Sequence, residues 1–99
     1  MISRHWRGLV KAECAEQYIE HLRSETFPTL GELPGFLRAS ILERVLPQGV
    51  EFLIVTEWQS LEAIRSFAGE DVESAVVSQK AQAMMVEYDR FVRHYEVVQ

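Results

Sequence analysis

The chain has 99 residues, a formal net charge of −5 and one cysteine, Cys14. This length suits a single domain over residues 1–99. Acids outnumber bases, which argues against nucleic acid, since a phosphate-binding surface needs clustered Lys and Arg. A lone cysteine excludes an intrachain disulfide and a thiolate metal cluster.

Ile2 to Val10 reads as the first strand, with Ile2, Trp6 and Val10 on one side and His5, Arg7 and Leu9 on the other. Its opening residues lack the apolar stretch of a secretory signal. No apolar run is long enough to span a bilayer. A cytoplasmic protein that avoids membranes is therefore expected. Ala12 to about Glu25 reads as a helix, because Ala15, Tyr18, Ile19 and Leu22 fall on one stripe. Glu13 and Glu16 suit the positive end of its dipole. Pro28 and the turn Leu33-Pro34-Gly35 are expected to end that unit.

Phe36 to Leu46 and Val50 to Trp58 read as a hairpin, joined by the three-residue loop Pro47-Gln48-Gly49. In its second strand Phe52, Ile54, Thr56 and Trp58 share one face, and Glu51, Leu53, Val55 and Glu57 the other. Ser60 is placed to cap a helix whose apolar side is Leu61, Ile64, Phe67 and Ala68, with Gly69 as its stop. A short helical stretch is expected around Val72, Ala75 and Val76. Another runs from Lys80 to Tyr88, and Asp89 to Val98 reads as the closing strand.

The order β-α-β-β-α-β predicts an α+β, ferredoxin-like antiparallel sheet of four strands with helices on one face. The other face, bearing Leu53 and Val55, would be bare in a monomer. A homodimer, with two such sheets packed face to face, is the expected remedy.

Three groups of residues carry a family resemblance: Pro34, Gly35 and Phe36 at the start of the second strand; Phe52 with Trp58, Ser60 and Ala63 at the central strand-to-helix joint; and the tail His94-Tyr95-Glu96-Val97. With these motifs the chain resembles, over nearly its whole length, the antibiotic biosynthesis monooxygenase family of dimeric α/β-barrel proteins. The resemblance implies a homodimer that binds a small aromatic ligand. Some members oxidise anthrones or quinols with dioxygen and no cofactor, and others degrade haem. The haem-degrading branch would carry an asparagine on strand one, a second tryptophan on the helix after Trp58, and a ligating histidine beyond it. This chain has Trp6 or Arg7, Phe67, and Ser74 to Val77 at those places, so haem degradation is not expected.

Cofactor-free oxygenation needs a base, a donor for the developing oxyanion, and an apolar pocket. Histidine titrates near neutral pH, so His94 is the first candidate base and His5 the second. For both, a strand histidine satisfied by a neighbour or lying at an interface is the commoner case. His21 falls outside the apolar stripe of its helix and reads as solvated. The three histidines lack metal-ligand spacing, so no metal is expected.

Trp6 and Trp58 can stack on a flat ligand or serve as core anchors. Arg4, Arg7 and Arg93 can donate to a phenolate or pair with Glu43, Glu51, Glu57 or Glu96. Tyr95 can hydrogen-bond a ligand, and Phe67, Met84, Met85 and Tyr88 can line a pocket or an ordinary core. Cys14 reads as inert. The leading function is a cofactor-independent monooxygenase for a small aromatic, quinol or polyketide-like substrate. The alternatives are a non-catalytic small-molecule binding module and an isomerase.

Overall fold

The computed structural model describes residues 1–99. Three long strands form as the alternating sequence predicts: β1 (Ile2–Val10), β2 (Phe36–Leu46) and β3 (Gly49–Trp58). β1 pairs antiparallel with β3 in an unbroken register from Ile2 opposite Trp58 to Val10 opposite Val50. β2 pairs with β3, Ile41 opposite Ile54 and Leu42 opposite Leu53. The connecting turn is one residue shorter than expected. Leu46 pairs with Gly49, leaving Pro47 and Gln48 as a two-residue turn.

The helical layer covers the face that carries Trp6, Val10, Phe52, Ile54 and Trp58. Phe52, Trp58 and Val10 are wholly buried there. A 3-10 turn (Ala12–Cys14) leads into α1 (Ala15–His21), a π-helical turn (Leu22–Thr26) and α2 (Phe27–Gly31). The helical path thus runs past the expected end near Glu25 and through Pro28. Proline has no N–H to give, and it is tolerated at the start of a helix. Pro28 occupies that position in α2, and the wider π turn before it closes with the Phe27 N–H on the Leu22 carbonyl. α3 (Leu61–Ala68) is capped as expected, the Ser60 hydroxyl accepting from the Ala63 N–H at 3.2 Å.

The last third of the chain departs most from expectation. Residues 72–76 are not helical. Their carbonyls are engaged elsewhere: Val72 and Ser74 both accept from the Arg4 guanidinium, and Ser74 bridges Phe91. The helix expected from Lys80 to Tyr88 is only α4 (Gln79–Ala83), followed by strand β4 (Met85–Tyr88). The closing strand expected over Asp89 to Val98 is β5 (Arg93–Glu96). Both β4 and β5 pair with the edge of β1 that β3 leaves free. An unpaired edge of backbone donors and acceptors is a stronger demand than a helical apolar period. The sheet therefore has five strands, in the order β2-β3-β1 with β4 and β5 both on the outer edge of β1. The fold is α+β and ferredoxin-like. No helix is long and apolar enough to cross a membrane.

The face of the sheet away from the helices carries ion pairs. Glu51 accepts from Arg7 and Arg44, each at 2.6 Å, and Glu57 from Arg38 at 2.9 Å. Arg44 first and Arg7 second hold the Glu51 carboxyl down to about 2.

Candidate functional site

A cleft of about 160 Å³ lies between the sheet and the helical layer. Its floor is Arg4 and Trp6 from β1 with Ile54 and Thr56 from β3. These positions follow from the period of two, which sends alternate side chains of both strands to the helical side. Gly8 is needed here. A Cβ on Gly8 would lie 2.5 Å from the Trp6 ring and 3.0 Å from the Met85 sulfur. Without it the indole lies along β1 and donates from Nε1 to the Asp89 carbonyl at 2.8 Å.

The roof comes from α1 and the π-helical turn as Tyr18, His21 and Leu22, and from α2 as Phe27 and Leu30. Phe67 closes one end, and Val76, Val77 and Ser78 close another. Burial pushes the Tyr18 hydroxyl well above the usual phenol range, so it stays protonated. Most of the lining is apolar, as a site for an aromatic molecule requires.

His21 is buried, contrary to its expected solvated place, because Val76 to Ser78 pack across the side of α1 that carries it. Its Nδ1 faces Glu25 Oε2 at 3.3 Å and its Nε2 faces Ser78 Oγ at 3.4 Å. A carboxylate only accepts, so Nδ1 carries the hydrogen and Nε2 presents its lone pair to the Ser78 hydroxyl. Lys80 first and His21 second hold the Glu25 carboxyl below the usual carboxylate range. Ser78 Oγ also accepts from the Ala81 N–H, as N-cap of α4. Sequence spacing held one clue, since Glu25 stands four residues after His21 on the same helical side. Ser78, from a distant segment, had no local signal.

Arg4 is the second group that the sequence undervalued. It is 4% exposed. Its Nη1 donates to the Val72 carbonyl at 2.5 Å and to His94 Nε2 at 3.0 Å, and its Nη2 to the Ser74 carbonyl at 3.0 Å. Burial lowers its pKa to about 10. Its signal was its even position, shared with Ile2 and Trp6 on the helical side of β1.

The sequence candidates divide between two faces. Trp6 and Phe67 line the cleft. His94 stands behind Arg4, opposite it in the β1–β5 register. Burial first, and the Arg4 charge second, hold its imidazole below the usual histidine range, with Glu73 opposing. Trp58 lies in the core between Phe36 and Phe67, and Met84 lies in the core beside Val10 and Phe52; neither lines the cleft. His5, Arg7 and Tyr95 are on the opposite face, where they border a second concavity of about 420 Å³ with Phe91 and Arg93, which Trp6 also reaches. The His5 and Tyr95 rings are 4.9 Å apart, and His5 Nε2 is 2.8 Å from Ser3 Oγ. The structure therefore does not bring His5 and His94 together. No group of three or more His, Cys, Asp or Glu side chains is placed to hold a metal ion.

Solved structures share this fold from end to end. The monooxygenase from the ActVA-Orf6 gene of Streptomyces coelicolor, in complex with nanaomycin D, is 18% identical with a TM-score of 0.70 over 99% of this chain and 88% of its own. The haem degrader MhuD of Mycobacterium tuberculosis, with two haems bound, is 21% identical with a TM-score of 0.70 over 100% of this chain and 97% of its own. A candidate antibiotic biosynthesis monooxygenase from Nitrosomonas europaea is 16% identical with a TM-score of 0.72, and both chains are covered completely. At such identities the likeness is one of fold. No curated protein matches the chain in sequence. The family described as antibiotic biosynthesis monooxygenase matches residues 1–77, which hold β1 to β3, α1 to α3 and most of the cleft, and the chain belongs to that family.

Proposed function

We propose that the protein is a cofactor-independent monooxygenase that oxidises a small aromatic, quinol-like substrate in the cleft between sheet and helices. One observation carries this reading: a buried histidine, oriented by a carboxylate, sits in a mostly apolar cleft. Family membership supports it. Oxygenation of this kind requires a substrate that reduces dioxygen itself, which only its deprotonated form does readily.

In this scheme the Ser78 hydroxyl gives way to the substrate, and His21 Nε2 takes a proton from an acidic CH₂ or hydroxyl of the substrate, with Glu25 steadying the imidazolium. The anion transfers one electron to dioxygen, and the radical pair joins in a new C–O bond. The peroxide recovers the proton from His21 and then loses water. The CH₂ group and dioxygen become a carbonyl group and water. The apolar walls protect the radical pair from solvent. His94 does not line the cleft and its Nε2 accepts from Arg4, so its part here is to position Arg4.

Oxygen uptake with a panel of anthrones and quinols tests the proposal. Uptake well above a heat-denatured control is expected with at least one member. Ligand-induced thermal stabilisation without uptake would instead favour a binding module, and a product of unchanged mass an isomerase.

A second copy of the chain is proposed to cover the face away from the helices. Leu42, Leu53, Phe91 and Tyr95 are exposed there, around the Arg7–Glu51–Arg44 ion pairs. Sedimentation at low micromolar concentration should give a species of twice 11.4 kDa. A species of 11.4 kDa alone would count against it.

A further inference from the structure

Arg7, Arg38, Arg44 and Arg65 each pair with a glutamate, but Arg4 has no carboxylate partner although it is the most buried of them. A buried charge is costly unless it is paired. A guanidinium has five N–H donors. Two carbonyls and the His94 ring accept from Arg4, leaving its Nε–H and one Nη2–H without a protein acceptor. No fully buried side-chain polar atom lacks a hydrogen bond, so the unpartnered Nε–H keeps some accessible surface, and Arg4 lines the cleft. The Phe67 ring lies 5.7 Å from the guanidinium carbon, which places an aromatic wall beside the charge.

The size of the space limits what can answer that charge. A cavity of about 150 Å³ accommodates benzene, and this cleft is about 160 Å³. From these observations we infer that the cleft takes a small aromatic acid: a single substituted ring whose carboxylate accepts hydrogen bonds from Arg4 while the ring lies against Trp6 and Phe67. The inference rests on the cleft being the substrate site of the proposed function. It adds the charge and the size of the substrate. His94 and the carbonyls of Val72 and Ser74 act as positioning groups that hold the guanidinium in place.

Benzoate and benzamide test this, since they share shape and differ in charge. NMR titration of the wild-type protein should show benzoate binding roughly tenfold to a hundredfold more tightly than benzamide. Arg4→Gln should bring the two affinities together. Equal affinities in the wild type, or an unchanged preference in Arg4→Gln, would overturn the inference. Because Arg4 ties β1 to residues 72–74, the glutamine variant can fail to fold. The wild-type Arg4 Nε–H resonance is then the readout: it should move with benzoate and not with benzamide, and an unmoved resonance overturns the inference. Oxygen uptake separates the two claims. Carboxylate preference without uptake by any substrate refutes the oxygenase reading alone. Uptake of a neutral quinol without carboxylate preference refutes the acid alone.

Discussion

Replacing Trp58 by alanine is expected to lower the melting temperature by roughly 15–30 °C. The indole is wholly buried, with its ring 5.2 Å from Phe36 in an edge contact and 6.1 Å from Phe67 in a stack. Leu30 and Ile64 complete the cluster. Truncating a buried tryptophan costs about 3–5 kcal/mol in lost transfer energy and cavity formation. The Trp58 Nε1 bond to Thr56 Oγ1, 2.9 Å long, is lost as well. Small domains have about 5–15 kcal/mol in all, and each kcal/mol moves the melting temperature by about 4–8 °C at this size. Trp58→Phe should lose much less, since it keeps the aromatic contacts. Calorimetry checks both variants. A loss of under about 4 °C for Trp58→Ala would mean that the strand-to-helix joint is not the anchor its burial suggests. Phe67 stacks on Trp58 and closes the cleft, so this cluster also supports the site.

His21→Gln is expected to reduce kcat by about 10²–10⁴-fold, the usual contribution of a positioned base. Glutamine fills a similar volume and retains a hydrogen-bonding end toward Glu25 or Ser78, so its thermal stability should change little. His94→Gln should behave differently. His94 accepts from Arg4 and does not line the cleft, so its loss should raise KM more than it lowers kcat. Steady-state oxygen uptake with both variants separates the roles. A collapse of kcat in His94→Gln, with His21→Gln near wild type, would transfer the base assignment to His94.

The three long strands and α3 were legible because local rules and tertiary demands agree there. The alternation in Phe52, Ile54, Thr56 and Trp58 is the alternation the sheet uses, and Ser60 and Gly69 bound α3 as their chemistry suggests. Pro28 misled because a π-helical turn precedes it, and such turns have little sequence signature. The stretch after Gly69 misled for a different reason. Val72 and Ser74 offer their carbonyls to Arg4, and Met85 leaves the helical period to pair with Val10. Contacts that span most of the chain decided both.

The site was legible in part. The even positions of β1 grouped Trp6 with Ile2 and Val10 without saying which face of the sheet they take, and the α3 stripe supplied Phe67. The burial of His21 was not legible because the wall that covers it comes from residues 76–78, although Tyr18 one turn earlier lies on the same buried side. His5 and His94 looked alike as strand histidines. Their opposite parity sends them to opposite faces of the sheet, which becomes clear once β5 is paired to β1 in register.

The most direct test of the central claim, dioxygen chemistry driven by a base in the helix-side cleft, is the mass of the product formed under isotopically labelled dioxygen. One labelled oxygen atom should enter the product with the wild-type protein and be nearly absent with His21→Gln. Label incorporated equally by the wild-type, His21→Gln and heat-denatured proteins would contradict it.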